Sequence, residues 1–279
     1  MTACIGEFLG TFLLVFFGTS IVAVSVLFNA PAGLVQVAAV WGIGVTLSIY
    51  ATRHLSCAHL NPAVSLAMVC AGRMRPSLLP FYWISQLSGA VFAGLIVLLL
   101  FHGSISNYEI AHAITRGTPA SVKTAMLFGE YFPNPGFSNL HWFDVTMSNA
   151  MFTEGFGTFT LVTMIFLLTE GCNLGGPGEK SAPLFIGMTV SLLISITAPL
   201  TQTGINPARD FGPRLIAYFS GWGPMAIPGP RGGFFLVYIL SPLVGGASAA
   251  VVFRYILAKL MVYRSGSSSD STACCGCGE

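Results

Sequence analysis

Six stretches of about twenty predominantly apolar residues run through this 279-residue chain, at roughly 5–28, 33–51, 78–101, 145–169, 183–200 and 234–257. A stretch of that length crosses a hydrocarbon core of about 30 Å as an α-helix. Lipid offers the backbone no hydrogen-bonding partner, so each span must satisfy its amides internally, as a helix does. With 54% hydrophobic and only 8% charged residues, the chain reads as an all-α integral membrane protein. Six spans put both termini on one side. The first run lacks a basic leader and reaches full spanning length, which reads as a retained span and not a cleaved signal peptide.

A formal net charge of +2 suggests neither nucleic acid nor an acidic substrate as partner. Arg53, Arg73, Arg75, Lys180, Lys259 and Arg264 fall on one side of the spans, and Arg116, Lys123, Arg214 and Arg231 on the other. The first group marks the cytoplasmic side, termini included. Cys4, Cys57, Cys70 and Cys172 sit in or beside apolar spans, where a thiol behaves as a small hydrophobe and not as part of a disulfide framework. The Ser-rich 266–279 segment reads as a disordered tail. Lipidation or metal binding at its Cys274, Cys275 and Cys277 is the alternative.

The stretch "EFLGTFLLV" at 7–15 recurs as "EGFGTFTLV" at 154–162, with Glu, Gly, Thr, Phe, Leu and Val in register. The offset is 147 residues, and two Asn-Pro-Ala sites, at 61 and 206, lie 145 apart. The chain is therefore a duplication with halves at about 1–110 and 145–265, joined by a loop at 102–144. Three spans per half is an odd number, so the second half enters the membrane from the opposite side and the repeats are inverted. Gly6 with Gly10, and Gly89 with Ala93, fall at spacings that let helix backbones approach closely in lipid. Glu7 and Glu154, one per repeat, are too costly to leave facing lipid. Their expected role is to accept hydrogen bonds from non-helical backbone inside the bundle.

Asn is a good helix N-cap and Pro is preformed for the first helical turn, so a lone Asn-Pro-Ala says little. The chain has a further Asn-Pro in "FPNPGFS" at 132–138, read only as a turn. The two Asn-Pro-Ala sites differ in context: each follows a span and precedes about ten helix-forming residues, enough to rise roughly half the membrane. Inverted symmetry brings the two half-helices in from opposite faces, with Asn61 and Asn206 capping N-termini that meet. Non-helical backbone at that depth is tolerated where it lines a water-filled cavity, which implies a pore. Each helix N-terminus carries about half a positive elementary charge. Two of them opposed repel cations, and the Asn amides can donate to one passing oxygen and so break a proton-conducting water chain.

These residues resemble the major intrinsic proteins, the aquaporins and glycerol facilitators, closest to the aquaglyceroporin branch. "AHLNPAVSLAM", "GINPARDFGPRL" and the paired "E..GTF" openings carry the resemblance over about residues 4–262. It implies an aquaporin-like right-handed bundle of six helices plus two half-helices, a homotetramer with one pore per subunit, and no cofactor or metal. It further implies a central constriction at Asn61, Pro62, Ala63, Asn206, Pro207 and Ala208. An outer filter is implied at Trp41, Ile194, Thr203 and Arg209, with Arg209 its only charged group. Pore-lining carbonyls are implied at Cys57, Ala58, His59, Gln202, Thr203 and Gly204. Trp41 and the Asp210 after Arg209 match glycerol facilitators, whereas Gly and Phe would be expected at Ile194 and Thr203, and water-selective members place His at Ile194. Asp210, about 100° around the helix from Arg209, is expected in a structural contact near the outer mouth.

The expected function is passive passage of small neutral solutes (glycerol and similar polyols, urea, water) with exclusion of protons and ions. The alternative within the family is a channel mainly for water, hydrogen peroxide, a metalloid acid or a protonated organic acid. An ion-coupled secondary transporter would also use inverted repeats, but it needs a coupling-ion site, and Glu7 and Glu154 are the only acids placed at depth. No Ser/His or His-Glu motif falls at a common depth, so the chain reads as no enzyme.

Overall fold

The computed structural model describes residues 1–28, 33–141, 143–171, 173 and 175–265. Among these the secondary structure is helical, with no strand. The first half supplies α1 (Thr2–Leu27), α2 (Leu34–Ser56), the short α3 (Pro62–Cys70) and α4 (Leu79–Ala111). A brief α5 (Val122–Ala125) lies in the connection. The second half supplies α6 (Met147–Thr169), α7 (Ala182–Thr201), the short α8 (Pro207–Ala217), α9 (Ser241–Val252) and α10 (Ala258–Ser265). Helical turns at Phe235–Leu240 and Phe253–Leu257 make α9 part of one continuous span, so among the described residues six helices are long and apolar enough to cross a membrane.

The polarity of the bundle is that of a membrane protein. Large apolar side chains such as Ile84, Leu99, Phe152 and Ile196 face outward, while Glu7, Gln86, Glu154 and Thr158 are fully buried. Lipid solvates the apolar side chains, and the polar ones turn inward to find partners.

Packing repeats between the halves. α1 packs on α2 and α4, α6 packs on α7 and α9, and α2 meets α7 between them. Small residues set the closest approaches, as expected where no hydrophobic drive pulls helices together. A Cβ added at Gly89 would sit 2.3 Å from the Phe8 carbonyl oxygen, and one at Gly245 would sit 2.0 Å from that of Gly155. Gly42 and Gly187 face each other directly: a Cβ on Gly42 would lie 2.5 Å from the Gly187 oxygen, and one on Gly187 2.3 Å from the Gly42 oxygen. These two glycines are 145 residues apart, the spacing of the Asn-Pro-Ala sites, so the contact is self-complementary like one lying on a two-fold axis.

Two expectations need correction. The 102–144 segment is not a loop throughout, because α4 continues to Ala111. Hydropathy hid this continuation, since its stabilising contacts are partly polar. Ile105 is buried, and Glu109 accepts from Arg116 Nε at 2.9 Å and from the Thr124 hydroxyl at 2.8 Å. Arg116 in turn lies 3.9 Å from the Trp222 ring centroid. The second correction concerns Cys57, which is disulfide-bonded and not a free thiol, unlike Cys4 and Cys70. It caps α2 in a left-handed conformation, beyond the last helical residue of the span. Cys172 and the 266–279 tail, with Cys274, Cys275 and Cys277, lie outside the described residues.

The α2–α7 contact has no room for a side chain. Gly187→Val is expected to abolish monodisperse protein in detergent extracts, whereas Gly103→Val, which would meet nothing within 4 Å, should leave the yield unchanged. Size-exclusion profiles of the two variants test this.

Candidate functional site

Six of the seven non-glycine residues with positive φ among the described residues fall in two loops: Cys57, Ala58 and Leu60 before α3, and Gln202, Thr203 and Ile205 before α8. Each member of the first set lies 145 residues before its counterpart in the second. Left-handed backbone costs about 1–3 kcal/mol per non-glycine residue, and a β-branched residue such as Ile205 tolerates it poorly. The loops hold this shape because each is bonded to a buried carboxylate. Glu7 accepts from the backbone N–H of His59 at 2.9 Å and of Leu60 at 2.8 Å, and from the Ser56 hydroxyl and Gln86 amide. Glu154 accepts from the backbone N–H of Gly204 at 2.9 Å and of Ile205 at 2.6 Å. Tyr82 and Tyr238 donate to the carbonyls of Ser56 and Thr201, each at 3.2 Å.

The two short helices begin at these loops and meet. Asn61 caps α3 by accepting from Ala63 N–H, and Asn206 caps α8 by accepting from Ala208 and Arg209 N–H. Pro62 and Pro207 occupy the first helical turns, where a missing N–H costs nothing. Each Asn amide then crosses to the other repeat: Asn61 donates to the Ile205 carbonyl at 2.9 Å and Asn206 to the Leu60 carbonyl at 2.8 Å. A side-chain amide has two N–H donors, so each Asn retains one beyond this reciprocal lock.

Two cavities adjoin at a waist, the residues that line both. One, of about 340 Å³, runs from Arg53, Arg73 and Glu179 past Asn61 and Asn206 to Trp41, Ile194, Thr203 and Arg209. Its wall is apolar along Val45, Ile49, Leu161, Ile186 and Val190, and the residues Cys57 to Leu60 and Thr203 to Ile205 line it as well. The other, of about 330 Å³, opens beyond the waist towards Lys123, Asn134 and Phe137. Trp41, Ile194 and Arg209 line both. All four expected filter residues are buried and brought together, with the Arg209 guanidinium 4.1 Å from the Trp41 ring centroid. Gln202 lines the second of these, here called the outer cavity, and not the first, the inner cavity.

Sequence reasoning missed Glu130. Its carboxylate is buried and forms an ion pair with Arg209, so the waist holds two charged groups and not one. α8 holds Glu130 in place. Glu130 N–H donates to Asp210 at 2.6 Å, the Glu130 carbonyl accepts from Arg214, and the next N–H, of Tyr131, donates to the Gln202 side chain at 3.0 Å. Arg214 also binds Asp210 at 2.8 Å and the Ala226 carbonyl at 2.7 Å. Asp210 thus fastens the outer loops to α8. Burial pushes the Tyr131 hydroxyl up to about 12, which keeps it a donor to the Met225 carbonyl at 2.8 Å.

The Asn-Pro at 134–135 is a pinned turn and not an idle one. Asn134 donates to the Ala198 carbonyl at 2.9 Å and accepts from Gly136 N–H at 2.8 Å. The sequence signal for Glu130 was faint: one of ten acids in the chain, placed in a loop whose docking no local periodicity encodes. His59 lies in the inner cavity wall, with its Nδ1 3.2 Å from the Ser65 hydroxyl and its ring 5.1 Å from that of Tyr82.

Six membrane-length helices around two cavities, with two half-helices meeting inside, define a pore-type integral membrane protein. Residues 1–253 match the family described as "Major intrinsic protein". A glycerol uptake facilitator protein of Pseudomonas aeruginosa is 39% identical over 257 residues, covering 92% of this chain and 88% of the relative. A propanediol uptake facilitator of Citrobacter freundii is 38% identical, covering 92% of each chain. The solved aquaglyceroporin of Plasmodium falciparum superposes with a TM-score of 0.81 at 24% identity, over 94% of this chain and 98% of that one; this likeness concerns the fold. The chain belongs to the major intrinsic protein family.

Glu154→Ala removes the acceptor of two buried N–H groups, each costing about 1–3 kcal/mol when orphaned, and should lower the thermal unfolding midpoint in detergent markedly. Glu154→Gln keeps an acceptor oxygen and should lower it less. Equal midpoints for both variants and the unmodified protein would show that the carboxylate does not hold the loop.

Proposed function

We propose that the protein is a passive channel for glycerol and other small neutral solutes, including water, and that it excludes protons and ions. The observation that carries this reading is the waist between the two cavities, where Trp41 and Ile194 supply an apolar surface and Arg209 supplies donors. A polyol has a carbon edge and a hydroxyl edge, and this waist offers a partner to each. The relatives described as glycerol and propanediol uptake facilitators support the same substrate class.

In this reading Trp41, Ile194, Thr203 and Arg209 form the outer filter, and Asn61, Pro62, Ala63, Asn206, Pro207 and Ala208 form the central constriction. The carbonyls of Cys57, Ala58, His59, Thr203 and Gly204 line the half-pores. Gln202 braces the outer loop through Tyr131. The remaining amide proton of each Asn donates to a passing oxygen, which orients a water at the centre and interrupts proton hopping. Two opposed helix N-termini, each worth about half a positive charge, repel cations. Because Glu130 neutralises Arg209, the central helix ends carry the cation barrier and Arg209 acts mainly as a hydrogen-bond donor. Thr203, smaller than a ring, opens the filter to solutes somewhat larger than glycerol.

The same reading places both termini in the cytoplasm, with a channel domain at 1–265 built of halves at about 1–110 and 145–265. Four copies of that domain form a homotetramer in the bilayer, with one pore each.

Vesicles containing the protein should re-swell faster in a glycerol gradient than protein-free vesicles and pass no protons; equal re-swelling with water flow still enhanced would remove glycerol from the substrate list. Thr203→Phe should slow four- and five-carbon polyols more than glycerol. Unchanged relative rates across a polyol series would take Thr203 out of the filter.

A further inference from the structure

The hydroxyl of Thr203 lies 2.8 Å from that of Thr197, a contact in which geometry alone allows either to donate. The surrounding bonds decide the direction. Thr197 Oγ1 is also 2.9 Å from the Leu193 carbonyl oxygen, which can only accept. A hydroxyl has one proton, and Thr197 spends its own on Leu193, back along α7 in the usual i−4 manner. The proton in the second bond must therefore come from Thr203. Thr203 lines the inner cavity together with Trp41, Ile194 and Arg209 and is buried. It joins the lining of that cavity with its hydroxyl proton already committed and only lone pairs to offer.

We propose that Thr197, which does not line either cavity, is a specificity-determining positioning residue: it fixes Thr203 as an acceptor at the waist. Arg209 has only donors, so the waist then presents donors and acceptors from separate, fixed groups. A solute oxygen facing Arg209 accepts, and a hydroxyl facing Thr203 must donate. The filter thereby favours solutes carrying several hydroxyl protons over isosteres in which a hydroxyl is replaced by a carbonyl, which keeps an acceptor and loses a proton. The inference rests on the channel reading above and concerns which polar solutes it prefers.

The test compares 1,2-propanediol with hydroxyacetone, which are of nearly equal size and differ by that one replacement, in stopped-flow re-swelling of vesicles, with the protein-free rate subtracted. The unmodified protein should pass the diol faster. Thr197→Val removes the acceptor and releases the Thr203 proton, and the diol-to-ketone rate ratio should fall roughly three- to tenfold, the worth of one hydrogen bond. Thr197→Ser restores the hydroxyl and should restore the ratio. Thr203→Val should lower the ratio as well, and adding Thr197→Val to it should change nothing further. A purely structural role for Thr197 would slow both solutes equally and leave the ratio unmoved, and that result overturns the inference, as does a ratio that Thr197→Ser fails to restore. Failure of the unmodified protein to pass either solute would instead overturn the channel reading, so the two are separable.

Discussion

The reciprocal lock between the two Asn-Pro-Ala loops is the interaction on which the rest of the structure depends. Asn61 reaches the Ile205 carbonyl and Asn206 the Leu60 carbonyl, so the residue that caps each half-helix also ties it to the other repeat. The strain of the left-handed residues at 57, 58 and 60 and at 202, 203 and 205 is offset locally by the Glu7 and Glu154 carboxylates, each taking two backbone N–H groups. The carboxylates are acceptable inside the bundle because those N–H groups need them, and the N–H groups are acceptable because the carboxylates are there. Four backbone N–H groups of these non-helical loops thus find acceptors inside the bundle.

From this lock the pore's division of labour follows. The half-helices bring two positive ends together, while residues of the loops before them line the cavity beside apolar residues of α2 and α7. The charged residues around the outer waist are mutually compensated: Arg209 pairs with Glu130, and Arg214 with Asp210. In the proposed reading, exclusion of cations belongs to the helix ends, and discrimination among neutral solutes to hydrogen-bond direction and shape at Trp41, Ile194, Thr203 and Arg209.

Much of this was legible in the sequence because its causes are local or repeated. Span lengths follow from hydropathy, and the helix starts at 62 and 207 from Asn and Pro capping chemistry. The partnership of Glu7 and Glu154 with the loops followed from their cost in lipid and their place in the repeat. What stayed hidden depends on contacts between distant segments. Glu130 reaches Arg209 only because Asp210, Arg214 and Gln202 hold its loop against α8. The extension of α4 to Ala111 is stabilised by Glu109, Arg116 and Thr124 and not by an apolar run. Thr197 looked like an ordinary helix residue, and only its geometry to Thr203 shows what its single proton decides.

The central claim is that solute passes through the waist shared by the two cavities. Ile194→Cys places a thiol in that waist, while Ile196→Cys places one on the outer face of the same helix, where the native side chain is 70% exposed. Reaction with a small polar thiol reagent should abolish glycerol flux through Ile194→Cys, with excess glycerol slowing the reaction, and should leave Ile196→Cys and the unmodified protein conducting. Full labelling of Ile194→Cys with undiminished glycerol flux would contradict the account.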